Sequence, residues 1–183
     1  AQKLAASDLG FALGPRLNAA GRLDDMSVGV ALLLCDNIGE ARVLANELDA
    51  LNQTRKEIEQ GMQIEALTLC EKLERSRDTL PGGLAMYHPE WHQGVVGILA
   101  SRIKERFHRP VIAFAPAGDG TLKGSGRSIQ GLHMRDALER LDTLHPGLML
   151  KFGGHAMAAG LSLDMAAIRE QLSAYAERLQ RSD

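Results

Sequence analysis

The apolar residues of the chain follow a helical period over one long stretch, from about residue 39 to residue 75. Leucine, isoleucine and methionine recur there at steps of three and four residues, which predicts one long helix. The residues in the stripe are Leu44, Leu48, Leu51, Ile58, Met62, Leu69 and Leu73. Arg55 and Glu65 interrupt it. Such a helix measures roughly 50 Å at 1.5 Å per residue, so it either packs along one neighbour or connects two domains.

The segment before this helix has no clear period. "LGFALGPRLNAAGRLDD" (residues 9–25) is rich in Gly, Pro and Asn, which predicts a loop with short helical turns. "SVGVALLLCD" (residues 27–36) follows, and it predicts a buried apolar run with Ser27 as its N-cap.

Strands and helices alternate after the breaker "LPGG" (residues 80–83). Short apolar runs predict strands at residues 84–88, 110–116, 120–129 and 160–164, and helical spacing predicts helices at residues 94–108, 133–142 and 165–180. This alternation predicts an α/β fold, with a mixed sheet and flanking helices, preceded by the long connector helix.

Composition is that of an ordinary globular protein, with 45% hydrophobic and 24% charged residues. No apolar run reaches the ~18 residues that a bilayer span needs, and no signal peptide is recognisable. The sequence therefore predicts a cytoplasmic protein without a membrane partner, whose Cys35 and Cys70 are reduced and buried. The chain starts without a methionine, which predicts a fragment of a longer protein.

Charge is distributed unevenly, although the net value is only −2. Residues 1–83 carry 9 basic and 13 acidic side chains, whereas residues 84–160 carry 9 basic and 6 acidic ones. The positive surplus of the second segment has the sign expected of a surface that faces phosphate.

The first candidate site is "GPRLNAAGR" (residues 14–22), where Arg16, Asn18 and Arg22 stand among small residues. Arginine suits bidentate contact with phosphate, and asparagine can orient an oxygen. The alternative, which composition alone favours, is a solvated loop whose arginines pair with Asp24 and Asp25.

The second candidate is "KGSGRS" (residues 123–128), in which Gly124 and Gly126 flank Ser125. The glycines leave backbone N–H groups open, and Arg127 and Ser128 add side-chain donors, as a phosphate cradle requires. The motif does not match the Walker loop. A glycine-bearing strand with a bulge explains the same residues equally well.

The third candidate is "KFGGHAMAAG" (residues 151–160), where Gly153 and Gly154 precede His155. A Gly-Gly pair marks a sharp turn or a close approach of the backbone. His155 is then either part of a tight structural connection, which composition favours, or the start of a helix that faces an anion.

"HPEWHQGVVG" (residues 88–97) contains two histidines and a tryptophan. No third ligand stands at a convincing distance, so no zinc site is predicted. Trp91 is either a surface for stacking a base or a cover for the start of a helix. The sequence also has no D-x-D or D-H-H cluster for two divalent metals. Features that bind phosphate, without a means of activating water, predict half of an active site.

Four motifs together resemble, in order and spacing, the single-strand-specific DNA exonucleases of the DHH phosphoesterase superfamily. They are "LGPRLNAAGRLDD", "HPEWHQGVVGILASRIKERFHRPVIAF", "GSGRS" and "FGGHAMAAGLSL". The resemblance implies that residues 1–38 come from the edge of the DHH domain, that residues 39–80 form a connector helix, and that residues 81–183 form the DHH-associated α/β domain. It implies Mn²⁺ or Mg²⁺ in the complete enzyme, held by a DHH domain missing from this chain.

The resemblance also implies residue roles. The catalytic residues would be His155, Arg16 and Asn18. The phosphate-binding residues would be Arg22, Ser125, Arg127, Ser128, Gly153 and Gly154, with Ser125, Arg127 and Ser128 on the 5′-terminal phosphate. No residue of this chain would bind the metal.

The implied function is 5′→3′ hydrolysis of single-stranded DNA by a two-metal mechanism in DNA repair and recombination, with this fragment inactive alone. Implied partners are single-stranded DNA with a 5′ end, a single-strand-binding protein and a helicase. Three alternatives remain open: a DHH-family phosphodiesterase of short oligonucleotides or cyclic dinucleotides, a non-catalytic nucleic-acid-binding module, and a helical connector with a structural α/β cap.

Overall fold

The structure, a computed structural model, describes residues 5–76, 80–118 and 120–170. The chain divides into two compact units, one that ends at Gly61 and one that begins at Met62. The first unit holds helices α1 (Ala6–Asp8), α2 (Gly14–Leu23) and α3 (Ser27–Leu34), a π-helical turn (Leu9–Leu13), and the first part of the long helix α4 (Ile38–Ser76).

Helix α2 forms where the sequence predicted a loop, so that prediction is wrong for residues 14–23. Pro15 lies in the first turn of the helix, where no intrahelical N–H bond is needed and the fixed φ of proline suits the helix. Ala19 and Ala20 are buried, and their small side chains permit close packing. Glycine and proline therefore do not interrupt the helix here.

Helix α3 differs from its prediction in two ways. Ser27 is its first residue rather than its N-cap, and the Ser27 N–H donates to Asp25 Oδ1 at 3.0 Å. The apolar run is largely exposed, since Leu33 and Leu34 are 64% and 76% accessible. Gly29 alone is fully buried in this helix, so the helix packs through its smallest residue, while Leu33 and Leu34 stay exposed.

Helix α4 confirms the long helix predicted over residues 39–75, but polar residues lie in its buried stripe. Asn52 and Glu59 are buried together with Leu48. Arg55 lies between them and donates to Asn52 Oδ1 at 2.9 Å and to Glu59 Oε2. Arg55 thus joins the buried stripe that it was predicted to interrupt, because its charge is paired within the helix.

The second unit contains a five-stranded mixed sheet, which confirms the predicted α/β fold. Its elements are β1 (Leu84–Tyr87), α5 (Val96–Phe107), β2 (Val111–Pro116), β3 (Thr121–Arg127), α6 (Met134–Leu144), β4 (Met149–Gly154) and β5 (Ala158–Asp164). The strand order is β1-β2-β3-β5-β4. Strands β1 and β2 are parallel and joined through α5, and the other neighbours are antiparallel.

The two faces of β3 have different neighbours. Leu122 belongs to an apolar core that includes Met134 and Leu138 of α6 and residues of β4 and β5. The residues of β3 that alternate with Leu122 point to the opposite face of the sheet. Helix α5 packs against β2 and β3, and Ser101 of α5 contacts Arg127 of β3. Because side chains alternate along a strand, β3 places an apolar set on one face and Lys123, Ser125 and Arg127 on the other.

Strand β4 was not predicted from the sequence, although the strand after it was. "LMLKF" (residues 148–152) is a short, largely apolar run, and Gly153 and Gly154 follow it. Its pairing with β5 includes an irregularity between Met149 and Lys151. The helix predicted for residues 165–180 begins as expected over residues 165–170, and its remainder lies outside the described residues.

Candidate phosphate-binding site

Arg127 lies at the end of β3 and is held from two sides. Its Nη1 donates to Ser125 Oγ and to the carbonyl oxygen of Gly126, both at 2.8 Å. Its Nε donates to Ser101 Oγ at 3.2 Å, and Ser101 Oγ donates in turn to the carbonyl oxygen of Gly97 at 3.1 Å. One strand and one helix therefore fix the orientation of the guanidinium.

This arrangement suits an anion. A guanidinium offers five donors in a planar fork that matches phosphate oxygens, and the Ser125 hydroxyl keeps its own hydrogen to donate after it accepts from Arg127. The first turn of α5 stands beside the pair at Gly97, and the amino end of a helix favours negative charge. Ser125 and Arg127, predicted from the motif, are thus brought together.

Gly124 and Gly126 were predicted to leave backbone N–H groups open to a phosphate, but the structure shows that they make room for neighbouring side chains. A Cβ on Gly124 would lie 2.6 Å from Leu161 Cδ2 and from Phe114 Cε1, and a Cβ on Gly126 would lie 3.0 Å from Met134 Sδ. The backbone of β3 pairs with β2 and β5 along its length. The predicted cradle of open backbone N–H groups is therefore wrong, and so is the predicted bulge, because the registers run without a shift. The donors that β3 itself can offer to an anion are therefore side chains.

Ser128 is fully buried just beyond the strand. Its hydroxyl donates to the carbonyl oxygen of Leu132 at 2.7 Å, and its N–H donates to the carbonyl oxygen of Met157 at 2.9 Å. These bonds fix the turn that leads to α6. A phosphate contact by Ser128 stays a prediction.

His155 lies in the hairpin turn between β4 and β5, so the predicted helix start is wrong. The His155 N–H donates to the carbonyl oxygen of Ala158 at 2.7 Å, while the side chain is exposed. Gly154 has φ 147°, and a Cβ on it would lie 2.4 Å from the carbonyl oxygen of Ala158. Gly153 differs, because its Cβ would meet nothing within 4 Å. Gly154 is therefore required by the turn, whereas Gly153 leaves open surface beside His155.

A shallow cavity of about 390 Å³ lies on the sheet next to this turn. Lys123, Lys151, Gly153, Gly160 and Ser162 are among its lining residues. Lys123 Nζ donates to Ser162 Oγ at 3.1 Å. Gly160 is paired with Ser125 across the strands, so this positively charged surface adjoins the site of Ser125 and Arg127.

The other predicted residues belong to the first unit and lie on helix α2. Arg16 contacts Asp49 Oδ1 through Nε and Nη2, both at 2.8 Å, and donates to the carbonyl oxygen of Ala12 at 2.8 Å. Its partner is thus Asp49, not the predicted Asp24 or Asp25. Asn18 and Arg22 are exposed, and their spacing of four residues places them on one side of α2.

Trp91 is not a stacking surface, because it is only 2% exposed. Its Nε1 donates to Glu65 Oε2 at 2.8 Å, and His88 Nδ1 lies 3.8 Å from the same oxygen. Trp91 precedes α5, so the alternative prediction, a cover for the start of that helix, describes its position.

Both cysteines are free. Cys70 is buried as predicted, and burial, together with the charge of Glu74, raises the pKa of its thiol to about 11. Cys35 is only half-buried and lies 3.2 Å from the carbonyl oxygen of Asn37, so the prediction of burial is wrong for it.

No group of three His, Cys, Asp or Glu side chains that could hold a metal ion occurs within residues 5–76, 80–118 and 120–170. Over the same residues, no helix is both long and apolar enough to cross a membrane. Mn²⁺ or Mg²⁺ therefore finds no fitting ligand set in the described part of the chain.

The sequence model of the DHHA1 domain matches residues 81–181 of the chain. The chain belongs to the DHHA1 domain family. The matched residues contain all five strands of the sheet with α5 and α6. The site of Ser125, Arg127 and the His155 turn thus lies wholly within the DHHA1 domain.

Several similar proteins are described as RecJ exonucleases. The chain is 98% identical over 164 residues to the single-stranded-DNA-specific exonuclease RecJ of Escherichia coli strain K12, which covers 90% of this chain and 28% of that protein. It is 36% identical over 173 residues to the RecJ of Bacillus subtilis strain 168, covering 92% and 21%. The structure of RecJ from Thermus thermophilus in complex with Mg²⁺ has a TM-score of 0.72 and 36% identity, covering 94% of this chain and 26% of that one.

The chain therefore spans between a fifth and three tenths of the length of these relatives. The DHHA1 domain and the segment before it have counterparts in them, whereas most of each relative has no counterpart here. Gly97 and Ser101, which lie beside Arg127 within the DHHA1 domain, were given no role from the sequence, although both belong to the second of the four motifs. Their spacing of four residues places them on one side of α5, next to the buried Ala100.

Proposed function

We propose that this chain is part of a single-strand-specific 5′→3′ DNA exonuclease, and that it supplies the phosphate- and DNA-binding half of the active site. The observation that carries the proposal is the pair of Ser125 and Arg127, oriented by α5 on the side of the sheet that bears the two lysines. The 98% identical exonuclease of E. coli supports the reaction class.

In this proposal Arg127 and Ser125 bind the 5′-terminal phosphate. Hydrogen bonds between a charged donor and a phosphate are among the strongest that side chains make. A terminal phosphate carries more charge than an internal phosphodiester, so the pair favours the end of a strand over its interior. Lys123 and Lys151 add positive charge along the adjoining surface, where the backbone of the DNA would lie.

The proposed catalytic groups are His155, Arg16 and Asn18, with Arg22 in support. His155 is exposed at a hairpin turn, and Gly153 beside it leaves open surface, so a phosphodiester can approach the imidazole closely. Charged donors that face a phosphate stabilise the negative charge that develops during hydrolysis. Arg16 must exchange Asp49 for the phosphate in order to take part.

The metal ligands are proposed to lie outside this chain. Relatives have been solved with Mg²⁺ and with Mn²⁺, and the described residues offer no ligand set for either ion. We therefore assign the metal site to a DHH domain in the complete polypeptide, by which we mean the longer protein that contains this chain. The chain alone is then inactive.

The proposed setting is DNA repair and recombination in the cytoplasm. The proposed partners are single-stranded DNA with a 5′ end, a single-strand-binding protein and a helicase that generates the single strand. These follow from the family resemblance and rest on it alone.

Nucleotide release from a 5′-phosphorylated single strand in the presence of Mn²⁺ tests the proposal. The complete polypeptide is expected to release mononucleotides from long strands, and this 183-residue chain is expected to release none. Release of mononucleotides by the chain alone would refute the proposal that it holds only half of the active site. Faster cleavage of dinucleotides than of long strands would favour the phosphodiesterase, and salt-sensitive binding without turnover by the complete polypeptide would favour a binding module.

A further inference from the structure

We propose that Gly97 and Ser101 of helix α5 are positioning residues that hold the Arg127 guanidinium in its phosphate-binding orientation. This inference rests on the proposed function, since it concerns the same phosphate site. Neither residue needs to touch the DNA. Both act through Arg127, one by a hydrogen bond and the other by the space that it leaves.

Ser101 acts by its hydroxyl. The hydroxyl donates to the carbonyl oxygen of Gly97, one helical turn earlier, so its hydrogen points along α5. Its lone pair is thereby turned outward, where it accepts from Arg127 Nε. A serine held in this way orients the guanidinium plane without adding the negative charge that a carboxylate would place beside a phosphate.

Gly97 acts by its missing side chain. A Cβ on Gly97 would lie 2.9 Å from Arg127 Nη2 and 3.1 Å from Ser125 Oγ, which is too close for either atom to stay in place. Glycine is not needed for the helix itself, because alanine has the higher helix propensity. The space beside Gly97 is therefore the space that the Arg127 fork occupies.

The atom closest to a methyl group on Gly97, Arg127 Nη2, is at the far end of a flexible side chain, and the next one is the side-chain oxygen of Ser125. No backbone atom lies within the distance at which the fold would have to move. Substitution by alanine is thus expected to leave folding intact and to move the guanidinium. This separates positioning from a structural role, in which stability and function would fall together.

Gly97→Ala in the complete polypeptide tests the inference, with 5′-phosphorylated and 5′-hydroxyl oligonucleotides compared in the presence of Mn²⁺. We expect KM for the phosphorylated strand to rise about tenfold or more, as loss of a hydrogen bond to a charged group predicts. KM for the hydroxyl strand and the melting temperature should stay unchanged. Gly61→Ala is the matched control, since that helical glycine has nothing within 4 Å of its Cβ position, and it should change neither KM.

Ser101 variants give a second measurement that does not depend on how Gly97→Ala folds. Ser101→Ala should lower the preference for the phosphorylated strand, and Ser101→Thr, which keeps the hydroxyl, should restore it. A structural role would not produce this rescue together with an unchanged melting temperature.

The outcomes separate the inference from the proposed function. If the unmodified polypeptide shows no preference for a 5′-phosphate, the proposed function of the site fails and the inference falls with it. If it shows the preference and either Gly97→Ala or Ser101→Ala retains it in full, the inference alone is overturned. Loss of the preference in both variants, with folding intact, supports it.

Discussion

The two candidate stretches that contain arginine, residues 14–22 and 123–128, differ in what holds Arg16 and Arg127. Arg127 is half-buried, and its hydrogen bonds to Ser101, Ser125 and a backbone carbonyl tie it to one strand and one helix. Arg16 is held by the carboxylate of Asp49, in an ion pair whose side chains are 38% and 58% exposed. One guanidinium is oriented by hydroxyl and carbonyl groups, and the other by an acid in contact with solvent.

The groups that hold each arginine determine how it would bind a phosphate. Hydroxyl and carbonyl groups orient a guanidinium without competing for its charge, so Arg127 can bind at once. An exposed ion pair is worth only about 0–1 kcal/mol, so a phosphate can displace Asp49 from Arg16. Under the proposed function, the sheet would therefore present a preset site, whereas helix α2 would present one that forms by exchange.

The largest expected effect is a loss of stability from a substitution in the turn between β4 and β5, which belongs to the same sheet as Arg127. Gly154→Ala should lower the free energy of unfolding by about 3 kcal/mol, because φ is positive and the new Cβ would lie within contact of Ala158 and Ala159. Chemical denaturation measures the change. Gly153→Ala is the control and should cost less than about 0.5 kcal/mol, as at other open positions. Equal losses in the two variants would contradict the assignment of Gly154 to the turn.

Arg127→Ala should have the next largest effect. In the complete polypeptide it should weaken the use of 5′-phosphorylated single strands about 10- to 100-fold, since a charged hydrogen bond is lost, while the melting temperature stays near that of the unmodified protein. Arg127→Lys should be intermediate, because lysine keeps the charge and loses the fork. The role in 5′-phosphate binding is wrong if strands with a 5′-phosphate and a 5′-hydroxyl lose activity equally.

Asp49→Asn tests the exchange at helix α2, and its effect should be smaller. Removal of the competing carboxylate should lower KM for single-stranded DNA in the complete polypeptide, by about fivefold at most for an exposed pair. Glu47→Gln makes the same change of charge on an exposed residue of the same helix and serves as the control. If both variants change KM alike, the effect is one of net charge and Arg16 does not exchange partners.

The smallest effect is expected at Asp25, just after helix α2. Hydrogen bonds from the Ser27 backbone and side chain hold the pKa of Asp25 below its ordinary value of 3.8. Because the folded pKa is the lower one, the stabilisation is present above the unfolded pKa and is lost as pH falls through the folded pKa. NMR titration should show the lowered pKa, and Ser27→Ala should raise it toward the ordinary value. Titration of Asp25 at or above 3.8 would exclude these bonds.

The elements predicted from the sequence are those that local patterns encode. The long helix α4 follows from its apolar period, and the strands around Phe114 and Leu161 follow from short apolar runs between glycine and proline. Strand β4 was missed because its apolar run is short, irregular in pairing and followed by two glycines. Helix α2 was missed because proline in a first turn and glycine beside buried alanines resemble a loop in composition.

The candidate site was predicted from the sequence, but the contacts that hold its side chains were not. The motif around Ser125 and Arg127 indicates phosphate binding, yet the expected backbone donors are engaged between strands. The contact of Arg127 with Ser101 joins positions 26 residues apart, and no local pattern encodes such a pair. Likewise, the need for Gly124 arises from Phe114 and Leu161 on the opposite face, which only the folded sheet reveals.

The burial of Cys70 has a practical consequence for labelling. A thiol reacts through its thiolate, so a fully buried thiol with a pKa of about 11 is protected near neutral pH. Cys35, half-buried between α3 and α4, is the other cysteine of the chain. A maleimide fluorophore should therefore attach to Cys35 alone, and give the segment between α3 and α4 a single optical reporter without any engineered substitution.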